Sequence, residues 1–388
     1  MPSTQYDMAK QDEQAALMQL LRTAEMTPTQ QCASLLQRAS FPDHGSRILV
    51  SAILLLAVLL AVICMAGLMV GSVRIPAGTA LSILVHALGG DALITADWRA
   101  SAQTIILETR LPRVIMAALV GASLSVSGMA IQALVRNPLA SPSILGVSSG
   151  AATGAVIVMR WGLIGLGTFT LNIAAFLGGL GALAIVFAIA RAGGSLTPGR
   201  LILGGVALSA VLSAFTSLLV LTSPDPQLAS RVLFWTLGGF GSAQWKLLPL
   251  PFAALVIGLA YLLLQARRLN LLLAGDESAE ALGLDVERFR RRMFVLIAAM
   301  TGVTVAVCGV IGFVGLVMPH IVRFMVGTEH RRALPAAALL GASFTVGADL
   351  VARSIIAPIE LPVGIITALV GGPFFIFLLI KNAGSERG

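Results

Sequence analysis

Ionisable side chains are scarce in this chain. Asp, Glu, Lys and Arg make up 11% of its 388 residues, where a soluble domain carries about 25%. Lysine occurs only as Lys10, Lys246 and Lys381. None of the three follows a glycine, so the phosphate-cradling GxxxxGK[ST] loop is missing and any ATP chemistry falls to another chain. Cys32, Cys64 and Cys308 stand alone without a CxxC pair, which excludes a disulfide framework or a cysteine metal site. No His/Met/Cys pair suggests haem ligation, and no metal site or bound cofactor is expected. The runs 48–71, 143–159, 169–190, 201–221 and 361–380 hold no charged residue. An ion-coupled carrier commonly places carboxylates or histidines there, so that class lacks its machinery. His320 is the only histidine in an apolar run, beside Pro319, and reads as a structural hydrogen-bonding group. A channel would need a polar selectivity ring, and none is visible.

Apolar sequence is abundant: 57% of residues are hydrophobic and the mean hydropathy is +0.92. The runs divide into ten segments, roughly 48–71, 112–135, 143–159, 169–190, 201–221, 246–266, 293–311, 313–326, 334–355 and 361–380. A short extra helix is expected at about 229–240, after Pro224 and Pro226. The fold class is therefore all-α, a polytopic membrane protein of about ten transmembrane helices. The net charge of +8 sits in short arginine clusters between apolar runs, which suits inner loops and not nucleic acid. Arg136, Arg191, Arg200, Arg267, Arg268, the cluster Arg288 to Arg292, Arg331, Arg332 and Lys381 fall on one side. Arg74, Arg99, Arg110, Arg113, Arg160, Arg231 and Arg353 fall on the other, offset by Asp91, Asp97, Glu108, Asp225 and Glu360. The positive-inside bias orients the chain with both termini inside.

Residues 1–47 are polar and Gln-rich and read as a cytoplasmic tail without a signal-peptide h-region. Residues 48–382 form one membrane domain without a convincing internal repeat, and 383–388 are a short C-terminal tail. The longest inner loop, 267–292, reads RRLNLLLAGDESAEALGLDVERFRRR. Asp276, Glu277 and Ser278 open a short helix where acidic groups match the positive dipole end. Ala279, Ala281 and Leu282 give it a small apolar face, and Gly283 ends it. This is either a docking helix for a partner or an ordinary solvated loop.

The stretch 110–151, RLPRVIMAALVGASLSVSGMAIQALVRNPLASPSILGVSSGA, carries the most information. Its apolar helix is expected to start after Arg110-Leu-Pro-Arg113 and to break at Arg136-Asn137-Pro138, with a second proline at Pro142 and a Gly/Ser-rich restart. Gly121, Ser123, Ser125, Ser127 and Gly128 allow close helix approach within a bilayer. With GFVGLVMPHIVRFMVGTEHRRALP and ELPVGIITALVGGPFFIFLL following in order, the chain over about 48–382 resembles the FecCD family. These are the permease subunits of binding-protein-dependent (type II) ABC importers for iron chelates, haem and cobalamin.

The resemblance implies a homodimer in the bacterial inner membrane, with two ABC ATPase subunits holding ATP and Mg below and a periplasmic substrate-binding protein above. It assigns ATPase coupling to Asp276, Glu277, Ser278, Ala279, Leu282 and Gly283, and binding-protein docking to Arg110, Arg113 and Arg353. The alternative for those arginines is anchorage of helix ends at lipid headgroups. An inner gate would form at Asn137, Leu139, Ser195 and Thr197. The small-residue face of segment 201–221, with Gly204, Ser209 and Ser213, would line the path, its alternative being tight packing. Haem leads the expected cargoes, ahead of ferric siderophores and cobalamin, carried by alternating access.

Overall fold

The computed structural model describes residues 43–385 apart from 72, 90–95, 164, 166 and 193–196. Most of the expected N-terminal tail and Ser195 lie outside the described residues. Contacts divide the chain after Ser51, and the second unit, Ala52–Gly388, holds the membrane domain.

No strand occurs among the described residues. The helices are α1 (Asp43–Met69), α2 (Ala77–Ala87), α3 (Ala100–Thr104), α4 (Leu111–Val135), α5 (Val147–Trp161), α6 (Thr170–Ala192), α7 (Pro198–Leu221) and α8 (Leu228–Leu237). They continue as α9 (Pro249–Leu264), α10 (Ala266–Leu273), α11 (Asp276–Ala281), α12 (Val286–Cys308), α13 (Val314–Val326), α14 (His330–Ala352) and α15 (Val363–Ser385). Each of the ten apolar segments coincides with a helix. Seven of the described helical stretches are long and apolar enough to cross a membrane, and α2, α8, α13 and Val363–Leu378 are shorter apolar helices. The α15 helix continues to Ser385, within the expected C-terminal tail 383–388.

Two details depart from the sequence reading. The α2 helix was not among the expected segments. The helix carrying the Arg110–Arg113 motif also begins earlier, at Ala100, and continues through a π turn at Ile105–Arg110 into α4. Pro112 lacks the N–H that would bond the Glu108 carbonyl, and the wider π turn accommodates its ring without ending the helix.

The α4 helix is the central element, with nearly all of its side chains buried. It crosses α14 at Gly121 and Gly341. A side chain at either glycine would overlap the other's carbonyl. Thr345 then donates from Oγ1 to the Ala117 carbonyl at 2.7 Å. Further along, Gly128 abuts Gly315 of α13, and Gln132 donates from Nε2 to the carbonyls of Gly315 and Leu316 at 3.4 and 3.3 Å. The α5 and α6 helices meet in the same way at Gly150 and Gly178. Lipid gives no hydrophobic drive for helix association, so backbone approach at small residues supplies packing and polar contacts instead.

Gly121→Val is expected to lower stability by about 3 kcal/mol, the upper end for overpacked sites, measured by detergent-based denaturation. Gly181→Ala, where no atom lies within 4 Å of the added carbon, is expected to leave stability unchanged.

Candidate functional site

At the start of α4, three arginines knit helix ends together. Arg110 donates from Nη1 to the carbonyls of Leu68 and Met69 at 2.6 and 3.0 Å, and from Nη2 to that of Val73. Arg353, just past α14, reaches the Gly67 carbonyl. Gly67, Leu68 and Met69 supply the last carbonyls of α1, left without helical partners and carrying the negative dipole end, so cations are drawn there. Val73 lies in the segment beyond. Arg113 grips Asp349 with contacts of 2.9 to 3.1 Å, and donates from Nη1 to Glu360 at 2.8 Å. Asp349 is 1% exposed and also faces Arg353 across 3.6 Å, as its i, i+4 spacing suggests. Losing one partner would leave a buried charge uncompensated, a cost of about 3–5 kcal/mol that holds the cluster together.

Beside this cluster lies a cavity of about 770 Å3. Its wall includes Arg113 and Glu360, Arg231 and Trp235 of α8, Lys246 and Asn172. The Val363 N–H bonds the Gly238 carbonyl and the Gly239 N–H bonds the Cys308 carbonyl, which fixes the loop after α8 to the ends of α12 and α15.

The opposite end of α4 lies about 37 Å away at 1.5 Å per residue. Arg136 ends the helix in the left-handed conformation at φ 53°, and the Arg136 and Asn137 N–H groups bond the Ala133 and Gln132 carbonyls. Asn137 then accepts the Leu139 N–H through Oδ1 at 2.8 Å, forming a tight exposed turn.

Arg290 of α12 binds the same helix end. Its Nε donates to the Leu134 carbonyl at 3.1 Å, and its two terminal nitrogens grip Asp276 at 2.8 and 2.9 Å. Arg136 adds a 3.5 Å contact to Asp276. The short helix α11 is therefore fastened at its first residue both to α12 and to the end of α4. Ala279 is fully buried, whereas Glu277 and Ser278 are exposed and Leu282 is 69% exposed. Gly283 takes φ 84°, the left-handed turn that ends this helical segment. Hydrogen bonding from Arg290 holds the Asp276 carboxyl below its ordinary value. Partial burial opposes this shift, and the charges of Arg290 and Arg136 assist it.

The FecCD transport family matches residues 58–381. The chain belongs to this family. The hemin transport system permease protein of Yersinia pestis is 43% identical over 314 residues, covering 80% of this chain and 91% of that protein. The cobalamin import system permease protein of Halobacterium salinarum is 44% identical over 279 residues, covering 72% and 74%. The iron(III) dicitrate transport system permease protein FecD of Escherichia coli is 41% identical over 295 residues, covering 75% and 90%. Among solved structures, a metal-chelate type ABC transporter in an inward-facing conformation superposes with a TM-score of 0.73 at 33% identity, covering 85% of this chain and 98% of that one. This FecCD-family chain is an all-helical membrane transport permease.

The fold brings Arg110, Arg113 and Arg353 together, but not as free surface charge. All three are buried, at 5, 7 and 5% exposure, because α1 carbonyls and Asp349 compete for them within the chain. Within the single chain their donors are engaged by α1 carbonyls, Asp349 and Glu360, and binding-protein docking through them stays a proposal. The small face of α7 also divides. Gly204 is buried near Val186 and Ile189, and Gly205 abuts the Ile144 carbonyl. Ser209 is half-buried and Ser213 is exposed. Thr197 caps α7 through the Arg200 N–H at 3.5 Å. Asn137, Leu139 and Thr197 are exposed.

Arg290 and Arg136 escaped the sequence reading as individual contributors. Arg290 lies in the run RFRRR, yet only Arg290 falls on the buried stripe formed with Met293, Phe294 and Ile297. Helical spacing singles it out from its neighbours.

The lowered Asp276 value gives a signed expectation. The pairing stabilises the α11 attachment fully above the unfolded carboxylate value near 3.9, and is lost as pH falls through the lower folded value. Protection of the 276–283 amides, with exchange rates corrected for the intrinsic pH dependence, is expected to be high at neutral pH and to fall below about pH 4. In Asp276→Asn it is expected to be low at neutral pH and largely insensitive to acid.

Proposed function

We propose that this chain is the permease subunit of a binding-protein-dependent ABC importer in the bacterial inner membrane. Two copies form the path, two ATPase subunits carrying ATP and Mg engage α10 and α11 from the cytoplasm, and a periplasmic binding protein delivers cargo to the outer end. Ten spans with both termini inside agree with the arginine bias. The reading is carried chiefly by the α11 attachment, a short helix exposing Leu282 outward while its base is tied to α4 by Arg290 and Asp276. An ATPase moving α11 would then move the Asn137–Leu139 turn with it.

Haem is the proposed cargo, because the hemin permease of Yersinia pestis aligns over 80% of this chain. Ferric siderophores and cobalamin are the alternatives, since relatives named for iron(III) dicitrate and cobalamin have similar identity. The absence of charge within five spans suits a path that passes a bulky chelate without gripping it. Gate residues Asn137, Leu139 and Thr197 are small or uncharged, and Gly204, Ser209 and Ser213 are the path-lining candidates on α7. At the outer end, Arg110, Arg113 and Arg353 support the docking surface as a frame. Exposed charges such as Glu360 and Arg231 then meet the binding protein and steer its approach.

Reconstitution into liposomes tests this reading. Haem uptake is expected only with the cognate ATPase, binding protein and ATP together, with competition by a siderophore or cobalamin ranking the cargoes. Leu282→Asp is expected to lower ATP-driven uptake at least tenfold, as truncating a central interface anchor does, while binding-protein affinity is unchanged. Uptake by this chain alone under a proton or sodium gradient would instead establish an ion-coupled carrier.

A further inference from the structure

A second groove, of about 410 Å3, opens between the end of α6 and the start of α12, away from the arginine cluster and its cavity. It is lined by Phe187, Ala188 and Arg191 of α6 and by Glu287, Arg291 and Val295 of α12. Residues 287, 291 and 295 are successive i, i+4 positions, so they share one face of α12. Phe187 meets Phe294 edge-on with ring centroids 6.3 Å apart, giving the groove a firm apolar floor. Arg191, Glu287 and Arg291 are exposed, and no ion pair joins any of them to a described residue. Beyond the groove, the same face of α6 continues along the span through exposed Ala184 to Leu177, 60% exposed.

Two guanidiniums from different helices thus stand at a span's end, above an apolar floor that continues into an aliphatic ridge. Arginine matches phosphate oxygens through its planar fork of donors. Against one carboxylate, the two arginines leave a net positive charge, which favours a ligand with net negative charge. A free inorganic anion would make no use of the apolar floor and ridge. An acyl-bearing phosphate would use both parts, and basic pockets between spans are a known chemistry for lipid headgroups.

We propose that this groove binds an anionic phospholipid, with its phosphate between Arg191 and Arg291 and an acyl chain along Ala184 and Leu177. The site would fasten α6 to α12 beside the root of the loop carrying α11. The groove meets a membrane boundary whichever way the chain is oriented, so the proposal does not depend on the transport reading.

The full chain, purified and delipidated, can be titrated with phosphatidylglycerol or phosphatidylcholine and read by native mass spectrometry. Wild type is expected to retain phosphatidylglycerol in preference to phosphatidylcholine. Arg191→Gln or Arg291→Gln is expected to lower its affinity about fivefold, and the double variant about thirtyfold. Glu287→Gln is expected to raise it, which a purely structural role for these residues would not do. Ala188→Phe, which fills the groove without changing charge, is expected to lower it. These last two variants keep the test decisive should the double variant fold poorly. Equal retention of both lipids, unaltered affinity in Ala188→Phe, or a decrease in Glu287→Gln would overturn the proposal. So would displacement by millimolar inorganic phosphate, which marks a free-anion site, or by the ATPase subunit, which marks a protein interface.

Discussion

Arginines that close helix ends hold this protein together. A helix leaves its last carbonyls without partners, and within a membrane protein water is not there to satisfy them. Arg110 and Arg353 cover the end of α1, Arg290 covers the end of α4, and Arg160 donates to the Thr222 carbonyl at the end of α7 at 2.8 Å. Arg113 instead pairs with Asp349, which also faces Arg353. Burying a guanidinium is costly unless it is paired and hydrogen-bonded. Carbonyls offset that cost here, joined by a carboxylate at Arg113, Arg290 and Arg353, although the Nε groups of Arg160 and Arg353 make no hydrogen bond among the described residues. The scarcity of charge elsewhere gives these few groups their weight.

The same constraint links the two ends of the molecule. The α4 helix is bound near its start by Arg110 and Arg113 and near its end by Arg290 and Arg136. Between those points it packs backbone to backbone with α14 and α13 at Gly121 and Gly128. A rod held so closely has little freedom to bend, so displacement at α11 has a direct mechanical route into α4 and its terminal turn.

Much of this architecture is legible in the sequence. Long uncharged runs mark the helices, the two prolines after Arg136 mark the end of α4, and Gly283 marks the end of the α11 segment. The direction in which an arginine points is less legible. Arg110, Arg113 and Arg353 fall together on one expected face, but the pattern of letters does not reveal the α1 carbonyls that draw Arg110 and Arg353 inward, nor the pairing of Arg113 with Asp349 and Glu360. Nor does the Gly/Ser stripe of α7 distinguish buried glycines from serines left exposed, because both uses demand small residues. The Arg290 pairing was recoverable, since its position on the buried stripe of α12 separates it from the solvated arginines beside it.

The central claim is that α11 and the Asn137–Leu139 turn move as one piece. Spin labels at positions 278 and 139, in the proposed assembly of two copies with ATPase subunits, measure this by pulsed dipolar spectroscopy. The separation within one chain should stay constant between nucleotide-free and ATP-bound states, while the separation between the two copies at position 139 changes. Movement of position 278 relative to position 139 on ATP binding, with the turn itself stationary, would contradict the account.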